Sequence, residues 1–111
     1  MKKLSIMFIA LSMLAANAFA DIKEFTVVIK DHKFIPEITE VPAGEKVKLI
    51  VDNQDPTPEE FESHSMHREK IISGNSKGVI FIGPLKAGEY EFFGEFNEDS
   101  AQGKIIAVGG E

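Results

Sequence analysis

The chain has 111 residues, 18 acidic side chains against 12 basic ones, a formal charge of −6 and no cysteine. That length supports one domain with one modest core, and the missing cysteines exclude disulfides, thiol nucleophiles and thiolate-bound copper. The acidity argues against nucleic acid and anionic lipid as partners.

Residues 1–20 read as a secretory signal. Lys2 and Lys3 form a positive start, Leu4 to Ala16 an apolar run too short to anchor in a bilayer, and Ala18-Phe19-Ala20 a small-x-small cleavage site. Cleavage is expected between Ala20 and Asp21, leaving residues 21–111 as the folded domain. Loss of the two leader lysines lowers the formal charge from −6 to −8. No cysteine is present to carry a lipid.

Strands are expected at Glu24–Lys30, Glu37–Val41, Lys46–Val51, Val79–Ile82, Tyr90–Phe93 and Lys104–Val108, each rich in β-branched or aromatic residues. Val79–Ile82 is apolar on both faces and reads as a central strand. Between them lie turn signals. Asp31–Pro36 is a connection, because Pro36 biases Ile35 away from helix. Pro42-Ala43-Gly44-Glu45 and Lys86-Ala87-Gly88-Glu89 are turns, as is Ser73–Gly78; Asp52–Pro58 and Gly94–Gly103 are loops, and Asn53 and Asp55 suit Asx turns. Thr57 and Pro58 could start one helical turn over Glu59 and Glu60. About seven short strands at this spacing predict an all-β, antiparallel sandwich.

Glu59–Lys70 (Glu-Glu-Phe-Glu-Ser-His-Ser-Met-His-Arg-Glu-Lys) concentrates the chemistry. Imidazole, thioether and carboxylate all ligate transition metals. As a strand the stretch puts Glu62, His64 and Met66 on one face; as a helical turn it pairs His64 with His67. The plainer readings are surface charge pairing of Glu62 with Arg68 or Lys70, exposed histidines, and Met66 as core filling. Ser63 and Ser65 neighbour the histidines, but strand neighbours point to opposite faces, so nucleophilic catalysis has no support.

Phe34-Ile35-Pro36, Pro42-Ala43-Gly44, Asn53-Gln54-Asp55, Gly88-Glu89-Tyr90-Glu91-Phe92-Phe93 and Gln102-Gly103-Lys104-Ile105-Ile106 follow one another in an order that resembles the cupredoxins, and in particular EfeO-type cupredoxin-like domains. The resemblance spans the whole mature chain and implies a Greek-key β-sandwich. It also implies a periplasmic metal-binding protein, binding copper or iron beside an inner-membrane iron permease or other periplasmic uptake proteins, with a ferroxidase-type role as the enzymatic variant. The alternatives are a copper-binding chaperone or buffer, and a metal-free interaction module on the same fold.

The departures are as informative. Gly94 stands where the resemblance puts the copper thiolate, and Phe34 where some EfeO-type domains carry another cysteine. A blue copper centre is therefore excluded. Glu62 matches a metal-binding glutamate of EfeO-type domains, and Glu95 follows the vacated thiolate position. His32 lies in a connection expected at the same end. The expected ligands are Glu62, His32 and Glu95, followed by His64, His67 and Met66. Tyr90 and Phe92 are expected in the core, with Phe93 or Phe96 as a lid. Glu98-Asp99 reads as loop solvation, or as a second cation site.

Overall fold

The computed structural model describes residues 22–110; the expected signal segment lies outside them. Nine strands follow in order: β1 (Lys23–Lys30), β2 (Lys33–Ile35), β3 (Ile38–Pro42), β4 (Val47–Asn53), β5 (Glu59–Ser63), β6 (Arg68–Ile72), β7 (Ser76–Ile82), β8 (Gly88–Gly94) and β9 (Gln102–Val108). A 3-10 turn, Glu95–Asn97, follows β8. The strands form a four-stranded sheet, β2-β1-β4-β7, and a five-stranded sheet, β3-β9-β8-β5-β6. The two-sheet sandwich agrees with the expected fold class.

Alternation builds the core. Val47, Leu49, Val51 and Asn53 of β4 face inward, as do Val27 and Ile29 of β1 and Gly103, Ile105 and Ala107 of β9. Phe34, Phe61 and Phe92 meet at the centre: Phe61 and Phe92 stack with centroids 4.8 Å apart, and Phe34 meets Phe92 edge-on at 4.8 Å. Phe34 is thus core, and its position offers no ligand. Phe92 is fully buried and Tyr90 packs on the same core, as expected.

Several local expectations are corrected. The sandwich is mixed: β1 runs parallel to β4, and β3 parallel to β9. The cause lies at Pro36-Glu37, where the chain passes from β2 in one sheet to β3 in the other, so β1 finds its second partner beyond that crossing. The connection Asp31–Pro36 contains the three-residue β2, too short to show alternation. Ser76–Gly78 belong to β7 rather than to a turn. β7 is an edge strand, not a central one; Val79 and Phe81 are its outward residues, and the Lys46 ammonium sits 5.0 Å above the Phe81 ring. No helical turn forms at Glu59 and Glu60, which open β5.

Asn53 and Asp55 tie three connections together. The buried Asn53 amide donates to the carbonyls of Thr57 (2.9 Å), Ile72 (3.2 Å) and Ser73 (3.2 Å), and its Oδ1 accepts from Asp55 N (3.1 Å), an Asx turn as expected. Asp55 accepts in turn from the backbone N–H of Asp31 (2.8 Å) and His32 (2.9 Å). Those two residues form the β1–β2 hairpin turn, both with positive φ (52° and 59°), the geometry of a type I′ turn.

The two outer faces differ in charge. By register and alternation, that of the five-stranded sheet carries Glu40, Glu60, Glu62, Glu69, Glu89 and Glu91 against Lys104. That of the four-stranded sheet carries Lys30, Lys33, Lys48 and Lys77 against Glu24 and Asp52.

Candidate metal centre

β5 reads Glu-Glu-Phe-Glu-Ser with Glu59, Phe61 and Ser63 buried, so Glu60 and Glu62 share the outer face. β5 pairs with β8 at Phe61↔Gly94 and Glu62↔Phe93. The chain then leaves β8 into the 3-10 turn, bringing Glu95 beside the two outward glutamates. Among the described residues, Glu60, Glu62 and Glu95 each offer one carboxylate oxygen, all within 4.8 Å of one another. Across a cation with bonds of about 2.0–2.6 Å, opposed ligand atoms stand about 4–5 Å apart. The three oxygens therefore fit within one coordination sphere.

The electrostatics match this crowding. The close approach of the Glu95 carboxyl is the largest influence on Glu62, followed by its partial burial and the charge of Glu69, directly opposite on β6; together they push Glu62 up to about 7. The Glu62 side chain is 14% exposed. Burial, then the charges of Glu95, Glu69 and Glu59, raise Glu60 as well. Like charges facing each other across a sheet are destabilising unless a proton or a cation separates them. Neither Arg68 nor Lys70 neutralises Glu62: Arg68 donates through Nε to the Phe81 carbonyl (2.9 Å), and the Lys70 stem lies over Gly78.

Glu59 points the other way. It is 1% exposed, and its carboxyl accepts from Asn97 Nδ2 (2.7 Å), Phe96 N (2.8 Å) and Glu60 N (3.1 Å).

The histidines are dispersed. His64 is near the group, its Nδ1 4.0 Å from Glu62 Oε2 and its ring 5.5 Å from that of Phe93. His67 closes the tight turn after β5, its N–H donating to the His64 carbonyl (3.2 Å) with positive φ (54°), and lines a surface hollow with Glu62, His64 and Glu69. β5 ends at Ser63, so the stretch is neither a continuous strand nor a helical turn. Met66 lies in the core, 6% exposed, and does not share a face with Glu62 and His64. His32 is held at the hairpin, its Nδ1 3.6 Å from Asp55 Oδ2 and its carbonyl accepting from Ser100 Oγ (2.7 Å). The structure brings Glu62 and Glu95 together, adds Glu60, and leaves His32 outside the group. Phe96 is half exposed. Glu98 and Asp99 line an open hollow with Glu95 to Ser100.

Sequence reasoning missed Glu60 because Thr57-Pro58 suggested a helical turn there. The signal that finds it is the period-two spacing of Glu60 and Glu62 on either side of the apolar Phe61.

The chain matches the family model of the cupredoxin-like domain over residues 3–107. It is 54% identical over 86 residues to uncharacterized protein RP394 of Rickettsia prowazekii (strain Madrid E), covering 78% of this chain and 69% of that protein. Among solved structures, it is similar to the metal binding domain of the Cu(I) exporting P-type ATPase CopA of Streptococcus pneumoniae. The TM-score is 0.72 at 15% identity, over 81% of this chain and 89% of that one. It is also similar to auracyanin A, a "blue" copper protein of Chloroflexus aurantiacus, with a TM-score of 0.68 at 13% identity, over 79% of this chain and all of that one.

Proposed function

The chain belongs to the cupredoxin-like domain family, and from that premise we propose that it binds a transition-metal cation through Glu60, Glu62 and Glu95 on the outer face of its five-stranded sheet. The observation that carries this reading is the approach of three carboxylate oxygens to within 4.8 Å of one another. No cysteine exists to build a thiolate–copper centre. An all-oxygen set with an imidazole nearby suits Fe(II), Fe(III) or Cu(II) better than the softer Cu(I). His64 is the neighbouring side chain that would complete the set.

The resemblance to EfeO-type domains supports a role in the periplasm beside an inner-membrane iron permease, taking up or oxidising Fe(II). A copper buffer is the second reading, favoured by the copper-binding proteins among the similar structures. Titrating the purified chain with Cu(II) and with Fe(II) tests both. The reading expects about one equivalent bound, and at least about tenfold weaker binding in Glu62→Gln, which loses a charged oxygen donor. Native affinity in Glu62→Gln would remove the site. Oxygen consumed during Fe(II) addition separates oxidation from simple carriage.

A further inference from the structure

The ladder between β5 and β8 stops at Gly94. Beyond it the backbone turns into the 3-10 segment, which is closed on its far side by Gly94 N to Ala101 O (2.9 Å) and Ala101 N to Asn97 O (2.8 Å). Those bonds shape the loop without tying it to β5, the strand of Glu60 and Glu62. The Glu59 carboxyl makes that tie, accepting from Phe96 N at 2.8 Å and from Asn97 Nδ2 at 2.7 Å, 37 and 38 residues along the chain.

The space it uses is that of a side chain on residue 94. A Cβ on Gly94 would stand 2.6 Å from Glu59 Cδ and 2.7 Å from both Glu59 Oε1 and Ala101 Cβ. Gly94 and Glu59 are therefore one unit: the bare backbone makes room for the carboxyl, and the carboxyl grips the turn. A carboxyl this deeply buried is costly unless its oxygens find donors. Here the donors are Glu60 N, from one of the partners of Glu95, and Phe96 N and Asn97 Nδ2, from the two residues that follow Glu95.

We infer that Glu59 is the positioning residue for Glu95. On the reading that Glu60, Glu62 and Glu95 form a metal centre, it presets the third ligand before any cation arrives and thereby sets the affinity. It touches no cation itself. Outer groups that orient ligands typically contribute about 10–100-fold in metal affinity.

The test is Glu59→Gln in the full chain, read by Cu(II) calorimetry and by amide hydrogen exchange. Glutamine keeps the size but turns an NH₂ group toward N–H donors. The inference expects about 10–100-fold weaker Cu(II) binding and faster exchange at the Phe96 amide, with the amides of β4 and β9 exchanging as in the native chain. Asn97→Ala removes one of the bonds at a partly exposed position and should shift both readings in the same direction by less; it decides the matter if Glu59→Gln does not fold. Native Cu(II) affinity together with native Phe96 exchange in a folded variant would overturn the inference. If the native chain takes up neither Cu(II) nor Fe(II), the metal reading fails instead, and Phe96 exchange alone supports or overturns the positioning role.

Discussion

A carboxylate oxygen of Glu62 lies within 4.8 Å of one of Glu95, and this approach is the largest cause of the raised titration of Glu62. Glu62 stands on β5 and Glu95 opens the 3-10 turn after β8, 33 positions along the chain, and they meet because β8 ends where β5 still continues.

Glu62 is therefore expected to titrate near pH 7, not near its usual 4.5, visible as the midpoint of its side-chain carboxyl carbon shift in NMR. The folded state holds this proton more tightly than the unfolded state. Its stabilising contribution is complete below pH 4.5 and is lost as pH rises through about 7. Glu62→Gln should unfold at the native temperature in acid and at a higher temperature than the native chain above pH 7. A variant no more stable than the native chain at pH 8 would show that the repulsion is absent.

Metal binding must displace that proton. Affinity for Cu(II) should therefore rise between pH 6 and pH 8, with proton release measurable by calorimetry in buffers of different ionisation heat. In Glu62→Gln this part of the pH dependence should vanish. An affinity independent of pH in the native chain would mean the cation is held elsewhere.

His64 and His32 should behave differently. His64 lies 4.0 Å from Glu62, whereas His32 is engaged at Asp55. His64→Ala is expected to weaken Cu(II) binding, and His32→Ala to leave it unchanged, in parallel titrations. The reverse result would move the centre to the hairpin end of the molecule.

Asn53→Ala should be costly without touching the metal face. It removes three amide donor contacts and the acceptor for Asp55 N from a position 1% exposed. Leaving such buried groups unpaired costs on the order of 1–3 kcal/mol each at most, with partial relief by water. Urea unfolding should show a loss of about 2–4 kcal/mol. Burial opposes ionisation of Asp55, but the N–H groups of His32 and Asp31 outweigh it and hold the carboxyl below its usual range. The hairpin anchor should therefore persist well into acid.

Gly103→Ala should be destabilising for another reason. A Cβ there would lie 2.3–2.4 Å from the Phe92 ring, which is locked between Phe61 and Phe34. Overpacking of this kind costs about 1–3 kcal/mol, measurable as a lower thermal midpoint.

Much of the sandwich was legible because period-two alternation is local: β4 and β9 read directly from Lys46–Val51 and Lys104–Val108. The parallel pairings were not, since they depend on where the chain changes sheets. β7 misled because its outward Val79 and Phe81 are apolar without being covered. At the site, Glu62 and Glu95 were named from motif resemblance, and the fold brings them together. His32 was expected beside them only because its connection lies at the same end; its positive φ and its bond to Asp55 belong to the turn, which composition does not reveal. Glu59 was hidden by its chemistry. Alternation with Phe61 points it inward, but a buried carboxyl only makes sense once its distant donors, Phe96 and Asn97, are known.

The uneven distribution of lysine and glutamate between the two outer faces gives the molecule an electric dipole across its thickness. A dissolved cation is drawn toward the side where Glu60 and Glu62 stand and repelled from the other, before any bond forms. Its arrival rate should fall steeply as ionic strength shortens the range of that field, while uptake of a neutral chelate would be indifferent to salt.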